Sequence, residues 1–589
     1  MGQYVAPRRD MQFVLHELLH VDDEFRQLPP YTEVARELID QVIEQGGKFA
    51  AEVLFPLNQV GDVEGCRYAD GVVTTPPGFK AAYERFREAG WPSIASDPEF
   101  GGQGLPHTLG YALEEVINSA NQAFAMYPCL THGAYEALHA HGTDEQKRIF
   151  LPKLVSGQWT GTMCLTEPQC GTDLGLLRTK AEPNKDGSYR ITGTKIFVSS
   201  GEHDLAQNIV HLVLARLPDA PAGSRGISMF IVPKYKVNAD GSLGERNSAF
   251  AGAIEHKMGI KGSATCVMNF DGAEGYLIGK PHKGLMAMFT MMNAARLAVG
   301  VQGLALAERA LQNSLNYARE RLQSRALSGV KFPDKPADNL LAQPDVRRML
   351  LTQRAFVEGT RLLVLYNALQ VDIEGRATDE ATRQKASELV AFLIPISKGV
   401  VTELAIECTK EALQIYGGHG YIGENGMEQF SRDARITTLY EGTTGIQAAD
   451  LLGRKILQLQ GVGFKHFLEE ISGFCQQHSA DESLRALIGP LAVYAKQWGD
   501  MTVKLAQRVQ ANPEELGAAA NDYLYYSGYV TLAYLWARSV AAADKSSQSA
   551  AFKQAKRDTA SFYFTRILPR CLVHQAGIEA GVATLPEIA

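Results

Sequence analysis

The sequence predicts an α+β fold, mostly α, in which helical domains flank one β-rich block. Apolar residues make up 45% and charged residues 21% of the chain, as in soluble globular proteins. The 589 residues exceed what one core usually holds. Runs rich in β-branched residues alternate with turns in a central block, whereas helical periodicity dominates elsewhere. We therefore predict a helical domain with an N-terminal extension over 1–161, a small β-barrel or sandwich over 162–282, a four-helix bundle over 283–460 and an extra C-terminal helical domain over 461–589.

Charge and cysteine usage argue against several classes of protein. The net charge is −7 and no lysine or arginine run is present, so we expect no nucleic-acid partner. No stretch of roughly 18 uninterrupted apolar residues occurs, and the N-terminal MGQYVAPRRDMQF lacks the apolar core of a signal peptide. We expect no transmembrane segment. The eight cysteines are scattered without a C-x-x-C pair, which predicts reduced thiols and a cytoplasmic location.

The first helical region is predicted over residues 11–46, with a break at Pro29 and Pro30. It contains the sequence HELLH at 16–20. That spacing places the imidazoles of His16 and His20 on one face of a helix, where zinc could bind. The alternative is an amphipathic helix that happens to carry two histidines. We favour this alternative and expect no metal, because no motif marks a third ligand.

Loops and helices then lead into the β-rich block. Residues 97–105, DPEFGGQGL, predict a glycine-rich loop, and Leu109 to His141 is apolar with a helical period. The strand-like runs of the central block are Tyr189 to Ile196, Ile209 to Ala215, Ile227 to Val232 and Cys266 to Phe270.

The C-terminal half is predicted to be helical. Leu285 to Leu311 is a long methionine-rich helix, and such a stripe is more often core than site. Arg296 stands inside it, where a lone arginine seeks an anion or a carboxylate. Residues 418–423 contain a literal G-x-G-x-x-G. This motif indicates a dinucleotide fold only after a strand, and a helical pattern at 400–416 precedes it here. We expect a helix C-cap and a loop instead.

The stretch RDARITTLYEGTTGIQ, at 432–447, predicts a helix, a break and a second helix. Glu441 stands at the break made by Gly442, with Thr443 and Thr444 as candidate N-caps of the second helix. Glycine lets the chain turn sharply and brings backbone N–H groups close to a ligand. A carboxylate on such a corner can project into a cavity. Taken alone, however, a surface acid beside an N-cap is the commoner interpretation.

These segments together resemble the acyl-CoA dehydrogenase family. The resemblance covers about residues 81–455, in the family's order. The segments that match the family's motifs are DPEFGGQGL, TDEQKRIFLPKLVSGQW (143–159), MCLTEPQCGTD (163–173), KIFVSSG (195–201), HKMGIKGS (256–263), IYGGHGYIG (415–423) and RDARITTLYEGTTGIQ. The resemblance implies an enzyme in which the glutamate of YEGT, here Glu441, removes the α-proton of an acyl-CoA while FAD accepts the β-hydride. The product is a trans-2-enoyl-CoA, as in the first step of fatty acid β-oxidation.

The resemblance also assigns FAD contacts. Phe197 takes the place of a tryptophan that stacks on the flavin, and Ser199 that of a threonine that bonds flavin N5. The positions that match FAD-contacting residues of the family are Met163, Leu165, Thr166, Gly171, Thr172, Phe197, Val198, Ser199, Arg321, Gln323, Gln414, Gly417, Gly418, Thr443 and Gly445. Arg321, Gln323 and the loop at 414–418 match residues that reach a neighbouring subunit's FAD, although Ser324 and Arg325 replace the Phe-Gly that follows in the family.

Substrate contacts are implied in the same way. The matching positions are Thr172, Asn293, Arg296, Tyr440 and Gly442. Some family members carry their base just before the arginine that corresponds to Arg296. Here that residue is Ala295, so Glu441 has no competitor. Cys129 matches a glutamate that plugs the acyl tunnel of medium-chain members, which favours straight acyl chains of medium to long length. The alternative is that Cys129 is ordinary core.

Beyond residue 460, where shorter members of the family end, the chain continues with helical character. The segments MQFVLHEL (11–18) and MCLTEPQCGTDLGLLRTKAEP (163–183) resemble a long bacterial subgroup that includes the 3-methylmercaptopropionyl-CoA dehydrogenase-like enzymes. We expect a homodimer, because the extra domain could cover the surface that shorter members use to form tetramers. An electron-transfer flavoprotein is the expected electron acceptor. The alternatives are an acyl-CoA oxidase and a dehydrogenase of a short sulfur-containing acyl-CoA such as 3-methylmercaptopropionyl-CoA. A DNA-binding relative is disfavoured, because it needs a basic C-terminal face. Chain length, electron acceptor and assembly stay open at this point.

Overall fold

Helices dominate the computed structural model, which describes residues 2–588. In chain order the α-helices are α1 (Arg8–Gln12), α2 (Val21–Arg26), α3 (Arg36–Phe49), α4 (Asn58–Glu64), α5 (Phe79–Glu88), α6 (His107–Ala120), α7 (Gln122–His141), α8 (Asp144–Val155), α9 (Gly284–Glu320), α10 (Pro344–Arg376), α11 (Glu380–Tyr416), α12 (Met427–Thr437), α13 (Thr444–Ala449), α14 (Val462–Gln477), α15 (Arg485–Ala511), α16 (Glu514–Lys545), α17 (Ala550–Phe562) and α18 (Cys571–Ala580). The predicted fold class, α+β and mostly α, is confirmed.

The strands lie mainly in the predicted central block. They are β1 (Arg67–Ala69), β2 (Val72–Thr74), β3 (Trp159–Cys164), β4 (Lys180–Pro183), β5 (Tyr189–Ser199), β6 (Asn208–Arg216), β7 (Ile227–Pro233), β8 (Tyr235–Val237), β9 (Leu243–Arg246), β10 (Ala249–Ile254) and β11 (Thr265–Ile278). The pairing β11-β5-β4-β6-β7 returns to β11, so five strands close into a barrel, with β10 and β3 at its margins. All four predicted strands are present, as β5, β6, β7 and β11.

Strand β6 shows why the barrel folds as it does. Its sequence, NIVHLVLAR, is a nearly continuous apolar run, and every residue but the last is buried. Successive side chains of a strand point to opposite faces. Val210, Leu212 and Leu214 accordingly join one apolar cluster, and Val213 and Ala215 join another. A strand with apolar groups on both sides is stable only where both faces are covered.

The chain divides into two compact units. The first unit comprises residues 1–47, 107–119 and 299–589, and the second comprises 48–106 and 120–298. In the first unit, α10 and α11 form a helical hairpin joined at residues 377–379, and α16 packs on both. Asp379 caps α11, since its side chain accepts a hydrogen bond of 2.8 Å from the amide of Thr382.

Two regions of predicted helical character are interrupted. The apolar region of helical period over 109–141 divides into α6 and α7 at Asn121, whose side chain accepts a hydrogen bond of 3.0 Å from the amide of Phe124 and so caps α7. The second interruption falls in HELLH. A π-helical turn covers Phe13–Leu18, and His20 adopts φ 51° before α2 begins. The expectation that His16 and His20 share one helix face is therefore wrong.

Two helices, Gly284–Glu320 and Glu380–Tyr421, have the length and apolar character of a membrane span. Their most apolar windows are 61% and 83% buried within the protein. Core helices of globular proteins pass the same test, so these two helices are weak evidence for a membrane protein.

Candidate active site

The candidate site in the first unit is the Glu441 turn, residues 438–444, which lies between α12 and α13. Helix α12 is anchored by Met427, Phe430 and Ala434, which pack in an apolar cluster with residues of α9 and α11. The turn closes when the amide of Thr444 donates to the carbonyl of Thr438 at 3.1 Å. This hydrogen bond places Glu441 at the corner between the two helices, as the sequence predicts.

The backbone of the turn is strained at Glu441. Glu441 has φ 55° and Gly442 has φ 87°. The left-handed region is unfavourable for a residue with a Cβ and persists only where the surroundings hold it. Gly442 is required for a second reason, because a Cβ there would lie 2.7 Å from Nε2 of Gln447. Strain of this kind concentrates at functional sites.

Two buried side chains bond the backbone carbonyls of the turn. Nζ of Lys398, on α11, donates to the carbonyl of Gly442 at 2.5 Å. Nε2 of Gln447, on α13, donates to the carbonyls of Glu441 and Gly442 at 3.1 and 3.4 Å. Both residues are fully buried. Because the carbonyls are held by fixed donors, the direction of the Glu441 side chain is constrained.

The neighbours of Glu441 are also held. The hydroxyl of Tyr440 donates a hydrogen bond to Oε1 of Gln302, on α9. Oγ1 of Thr443 accepts from the amide of Ile446 at 3.3 Å and caps α13, as predicted. Gly445 is exposed at the first turn of that helix. The predicted residues 440–445 are thus brought together on one rigid corner.

The candidate site in the second unit is the junction of two segments, 163–173 and 195–201. The amide of Ile196 donates to the carbonyl of Thr166 at 2.8 Å, and Nζ of Lys195 donates to the carbonyl of Leu165 at 3.0 Å. Met163 and Leu165 are half-buried against the barrel core. Gly171 and Thr172 are exposed at the far end of the loop. The two segments singled out in the sequence are therefore bonded to each other.

The carboxylate of Glu167 links the two segments of this junction. Its carboxylate accepts hydrogen bonds from the amides of Arg178 (2.6 Å) and Thr179 (3.0 Å), from the Thr179 hydroxyl (2.6 Å) and from Lys195 (2.8 Å). Glu167 and Lys195 are both buried. Burial alone raises the pKa of Glu167, but the Lys195 ammonium and the hydrogen bonds outweigh it and lower the pKa to about 2. The loop is thus fixed by a buried ion pair.

Phe197 is placed as a ligand-stacking ring would be. It has φ 58° within β5, and 60% of it is exposed. An exposed aromatic side chain on a strained backbone has no structural reason of its own. Val198, by contrast, is buried opposite Cys266, so only its backbone can face a ligand. Ser199 pairs with Thr265 at the end of the strand.

The donor set of this junction fits a flavin. Within residues 2–588, the hydroxyls of Thr166, Thr172 and Ser199 make no hydrogen bond to the protein. An exposed aromatic ring and free hydroxyls on two bonded segments suit a flat heterocycle that carries nitrogen and oxygen atoms at its edge. The residues predicted for FAD in this unit therefore fit the cofactor.

The remaining predicted contacts divide between the two units. In the second unit, Arg296 and Ala295 are buried on α9, whereas Asn293 is exposed one turn earlier. Cys129 is half-buried on α7. In the first unit, Arg321 and Gln323 are exposed directly after α9. Their backbone is ordered: the amide of Gln323 donates to Asp338, and the carbonyl of Arg321 accepts from Leu340.

The G-x-G-x-x-G stretch is a helix end, as predicted. Helix α11 runs into a 3₁₀ turn over Gly417–Tyr421, and Gly417 has φ 58°. No strand precedes the motif, which follows 37 helical residues of α11, so a dinucleotide-binding turn is not formed here. Gln414, Gly417 and Gly418 are all exposed, and a Cβ on either glycine would meet open space.

His16 has structural partners. It is buried, with Nδ1 lying 3.1 Å from Asp22 and Nε2 lying 3.0 Å from Asp40. Asp22 is in turn bonded by Arg36 at 2.9 Å. His20 is exposed on the chain after the π-helical turn. The two histidines of HELLH thus have different surroundings.

Sequence reasoning missed four residues that hold these sites. Lys398, Gln447, Glu167 and Lys195 received no role, although the last three stand inside the family motifs. Lys398 had a usable signal, because it interrupts the apolar run AFLIPISKGVV. A lone lysine there must find an acceptor, as was argued for Arg296. Which acceptor it finds depends on the fold.

Four family models match the chain in series. They are described as acyl-CoA dehydrogenase, N-terminal domain (residues 41–158); acyl-CoA dehydrogenase, middle domain (162–273); acyl-CoA dehydrogenase, C-terminal domain (282–457); and acetyl-CoA dehydrogenase C-terminal like (467–589). The last model covers the extra C-terminal region, which supports the predicted resemblance to long family members.

Individual relatives agree with the models. The chain is 42% identical to a 3-methylmercaptopropionyl-CoA dehydrogenase of Ruegeria pomeroyi over 98% of both chains. It is 34% identical to a broad-specificity linear acyl-CoA dehydrogenase of Mycobacterium tuberculosis over 97% of this chain and 96% of the other. An acyl-CoA dehydrogenase of Bacillus anthracis, solved with FAD, shares the fold with a TM-score of 0.73 at 20% identity, covering 96% and 91% of the two chains. The chain belongs to the acyl-CoA dehydrogenase family, whose members are FAD-dependent oxidoreductases.

Proposed function

We propose that this protein dehydrogenates acyl-CoA thioesters between Cα and Cβ to give trans-2-enoyl-CoA, with Glu441 as the base. The observation that carries the proposal is the Glu441 turn. A carboxylate is held in the left-handed region, and buried Lys398 and Gln447 fix the carbonyls beside it. A general base works best when its geometry is set before the substrate arrives.

In this proposal the residues of the chain bind the acyl-CoA, orient it and remove its α-proton. Glu441 takes the α-proton of the thioester, and hydrogen bonds to the thioester carbonyl stabilise the enolate charge that develops. FAD, when bound, supplies the acceptor for the β-hydride. Phe197 would stack on the flavin, and the hydroxyls of Thr166 and Ser199 would bond its polar edge. Arg296 and Asn293 hold the CoA arm, and Tyr440 and Gly442 contact the acyl group.

We infer that an electron-transfer flavoprotein accepts the electrons, that the protein is cytoplasmic, and that FAD is shared in a homodimer. The exposed positions of Arg321, Gln323, Gln414, Gly417 and Gly418 support the shared site. The competing function is an acyl-CoA oxidase. Stopped-flow mixing of the reduced enzyme with air-saturated buffer separates the two functions: a dehydrogenase reoxidises slowly unless the flavoprotein is present, and an oxidase reoxidises within its turnover time.

For the acyl chain we propose straight chains of medium to long length. Cys129 is small and nearly apolar, and each further methylene that a tunnel admits contributes about 0.8 kcal/mol. A second candidate is a short sulfur-containing thioester such as 3-methylmercaptopropionyl-CoA, favoured by the 42% identity to the Ruegeria enzyme.

A substrate panel decides between these chain lengths. We expect kcat/KM, measured with a dye acceptor on straight acyl-CoAs of about four to eighteen carbons and on 3-methylmercaptopropionyl-CoA, to rise with chain length through the medium range. Cys129→Glu should move the optimum to shorter chains. Cys475→Glu, at a half-buried cysteine of α14, is the matched control. An optimum on short or branched chains, unmoved by Cys129→Glu, contradicts the open tunnel.

A further inference from the structure

The loop that closes the 163–173 segment has free hydrogen-bond donors at its tip. Gly171, Thr172 and Asp173 are exposed there. Their amides and the Thr172 hydroxyl donate to no acceptor within the part of the chain that the structure describes. Neighbouring backbone N–H groups of this kind suit the oxygens of a phosphate group. FAD contains a diphosphate, and Gly171 and Thr172 match family positions that contact FAD, so the tip has the donors that this diphosphate requires.

Arg216, at the end of β6, bonds the part of the loop that follows the tip. Its Nε donates to the carbonyl of Leu177 at 2.9 Å, and its Nη2 donates to the carbonyl of Gly175 at 2.6 Å. The side chain of Asp173 in turn accepts a hydrogen bond of 2.9 Å from the amide of Gly175. The guanidinium therefore fixes the backbone close to the tip.

The same guanidinium bonds a second loop, residues 217–226, which joins β6 to β7. Nη1 donates to the carbonyl of Pro221 at 3.1 Å, and Nη2 donates to the carbonyl of Gly223 at 2.8 Å. A Cβ on Gly226 would lie 2.9 Å from Nη1, so this glycine leaves room for the guanidinium. One side chain thus donates to four carbonyls, two in each loop. Only arginine carries that many N–H donors in one rigid plane.

We propose that Arg216 is a positioning residue for FAD: it holds the loop at 171–177 in the shape in which the free amides of the tip receive the diphosphate. The proposal rests on the flavin site proposed above. A loop that is ordered beforehand loses less entropy when the cofactor binds, and it therefore binds the cofactor more tightly. Without the guanidinium, the carbonyls of Gly175 and Leu177 lose their donor and the tip loses its link to β6. Arg216 acts through the loop and needs no contact with FAD.

Arg216→Met removes these hydrogen bonds, and Arg225→Met is the matched control, because it removes the same charge at an exposed arginine of the second loop. We expect FAD to dissociate roughly tenfold faster from Arg216→Met than from the control, whose rate should equal that of wild type. The measurement is the return of flavin fluorescence when the holoenzyme is diluted. Arg216→Lys keeps the charge but lacks the planar set of donors, so it should lose FAD as fast as Arg216→Met.

Hydrogen exchange of the full-length protein separates a role in the loop from a role in the barrel. In wild type, FAD should slow the exchange of the amides of Gly171, Thr172 and Asp173. In Arg216→Met held in excess FAD, this protection should fall, whereas the amides of β6 and β7 should exchange as in the control, because those strands keep their pairing.

Four results would overturn the positioning role. The first is FAD dissociation from Arg216→Met at the rate of Arg225→Met. The second is an Arg216→Lys protein that retains FAD as wild type does, since a positive charge alone would then suffice. The third is exchange in β6 that rises together with exchange in the loop, and the fourth is a wild-type tip whose exchange FAD leaves unchanged. A wild-type protein that binds no FAD contradicts the flavin site itself, which distinguishes that failure from the other four.

Discussion

At the scale of single residues, the site depends on buried groups that hold backbone. Lys398 is the main case, since a fully buried ammonium must be compensated and here it bonds the carbonyl of Gly442. The sequence predicted Glu441, Gly442 and the Thr443 cap, because turn residues and caps are local signals. It could not predict that a lysine more than forty positions earlier bonds this turn, because that contact exists only once α11 and the turn have packed.

Lys398→Met should lower kcat by about tenfold or more, with a smaller effect on acyl-CoA binding. The reason is that the Gly442 carbonyl loses a charged donor, and the Glu441 turn can then relax from its left-handed geometry. Steady-state kinetics and flavin absorbance measure both effects. Lys410→Met, at an exposed lysine of the same helix, is the control. Unchanged kcat in Lys398→Met would show that the contact does not orient the base.

At the scale of elements, hydrophobic periodicity and turn residues were enough to predict the long helices and strands. Strands β5, β6, β7 and β11, the long helix α9 and the helix end at 417–421 were predictable from the sequence. The short hairpin of β1 and β2 was not, since three-residue strands give no periodic signal. The break at Asn121 was hidden inside an apolar run. The proposed flavin-site residues were assigned from motifs, whereas the Glu167–Lys195 pair that joins two of those motifs was not predicted.

Glu167→Gln should destabilise the β-barrel at neutral pH by about 3–5 kcal/mol, because it leaves Lys195 buried without its counter-charge. The pKa of Glu167 is lowered to about 2 from an ordinary value of 4.5. Its contribution is therefore fully present above pH 4.5 and is lost as the pH falls from there toward about 2. Melting curves of wild type and variant should converge over that range. Glu182→Gln, which alters an exposed pair with Arg190, is the control and should change little. A gap that persists at low pH would contradict the ion-pair account.

At the scale of the whole molecule, distant segments of the first unit meet at one buried charge cluster. The guanidinium of Arg361, on α10, bonds Glu115 of α6, Glu308 of α9 and Asp10 of α1 at 2.5–2.6 Å. Asp10 also pairs with Lys556 of α17. These groups come from five segments spread over the chain. No local pattern marks them, so the way both terminal extensions join the bundle was beyond prediction from one sequence.

The oligomeric state is also a property of the whole molecule. We expect light scattering to show a homodimer that carries FAD, because the exposed residues Arg321, Gln323, Gln414, Gly417 and Gly418 match family positions that reach a neighbouring subunit's cofactor. Arg321→Ala should then lower FAD occupancy. When the Arg321→Ala and Glu441→Gln proteins are mixed and their subunits exchange, some activity should return, because a mixed dimer has one site with both native residues. A flavin-loaded monomer contradicts the shared site. A tetramer contradicts only the role of the C-terminal domain in blocking further association.

The central claim is that Glu441 removes the α-proton, and anaerobic stopped-flow mixing of Glu441→Gln with an acyl-CoA tests it most directly. The variant keeps the size and hydrogen-bonding edge of the side chain and lacks only the proton acceptor. The account predicts normal FAD content, normal acyl-CoA binding and flavin reduction slower by several orders of magnitude. Flavin reduction at a tenth of the wild-type rate or faster would contradict it.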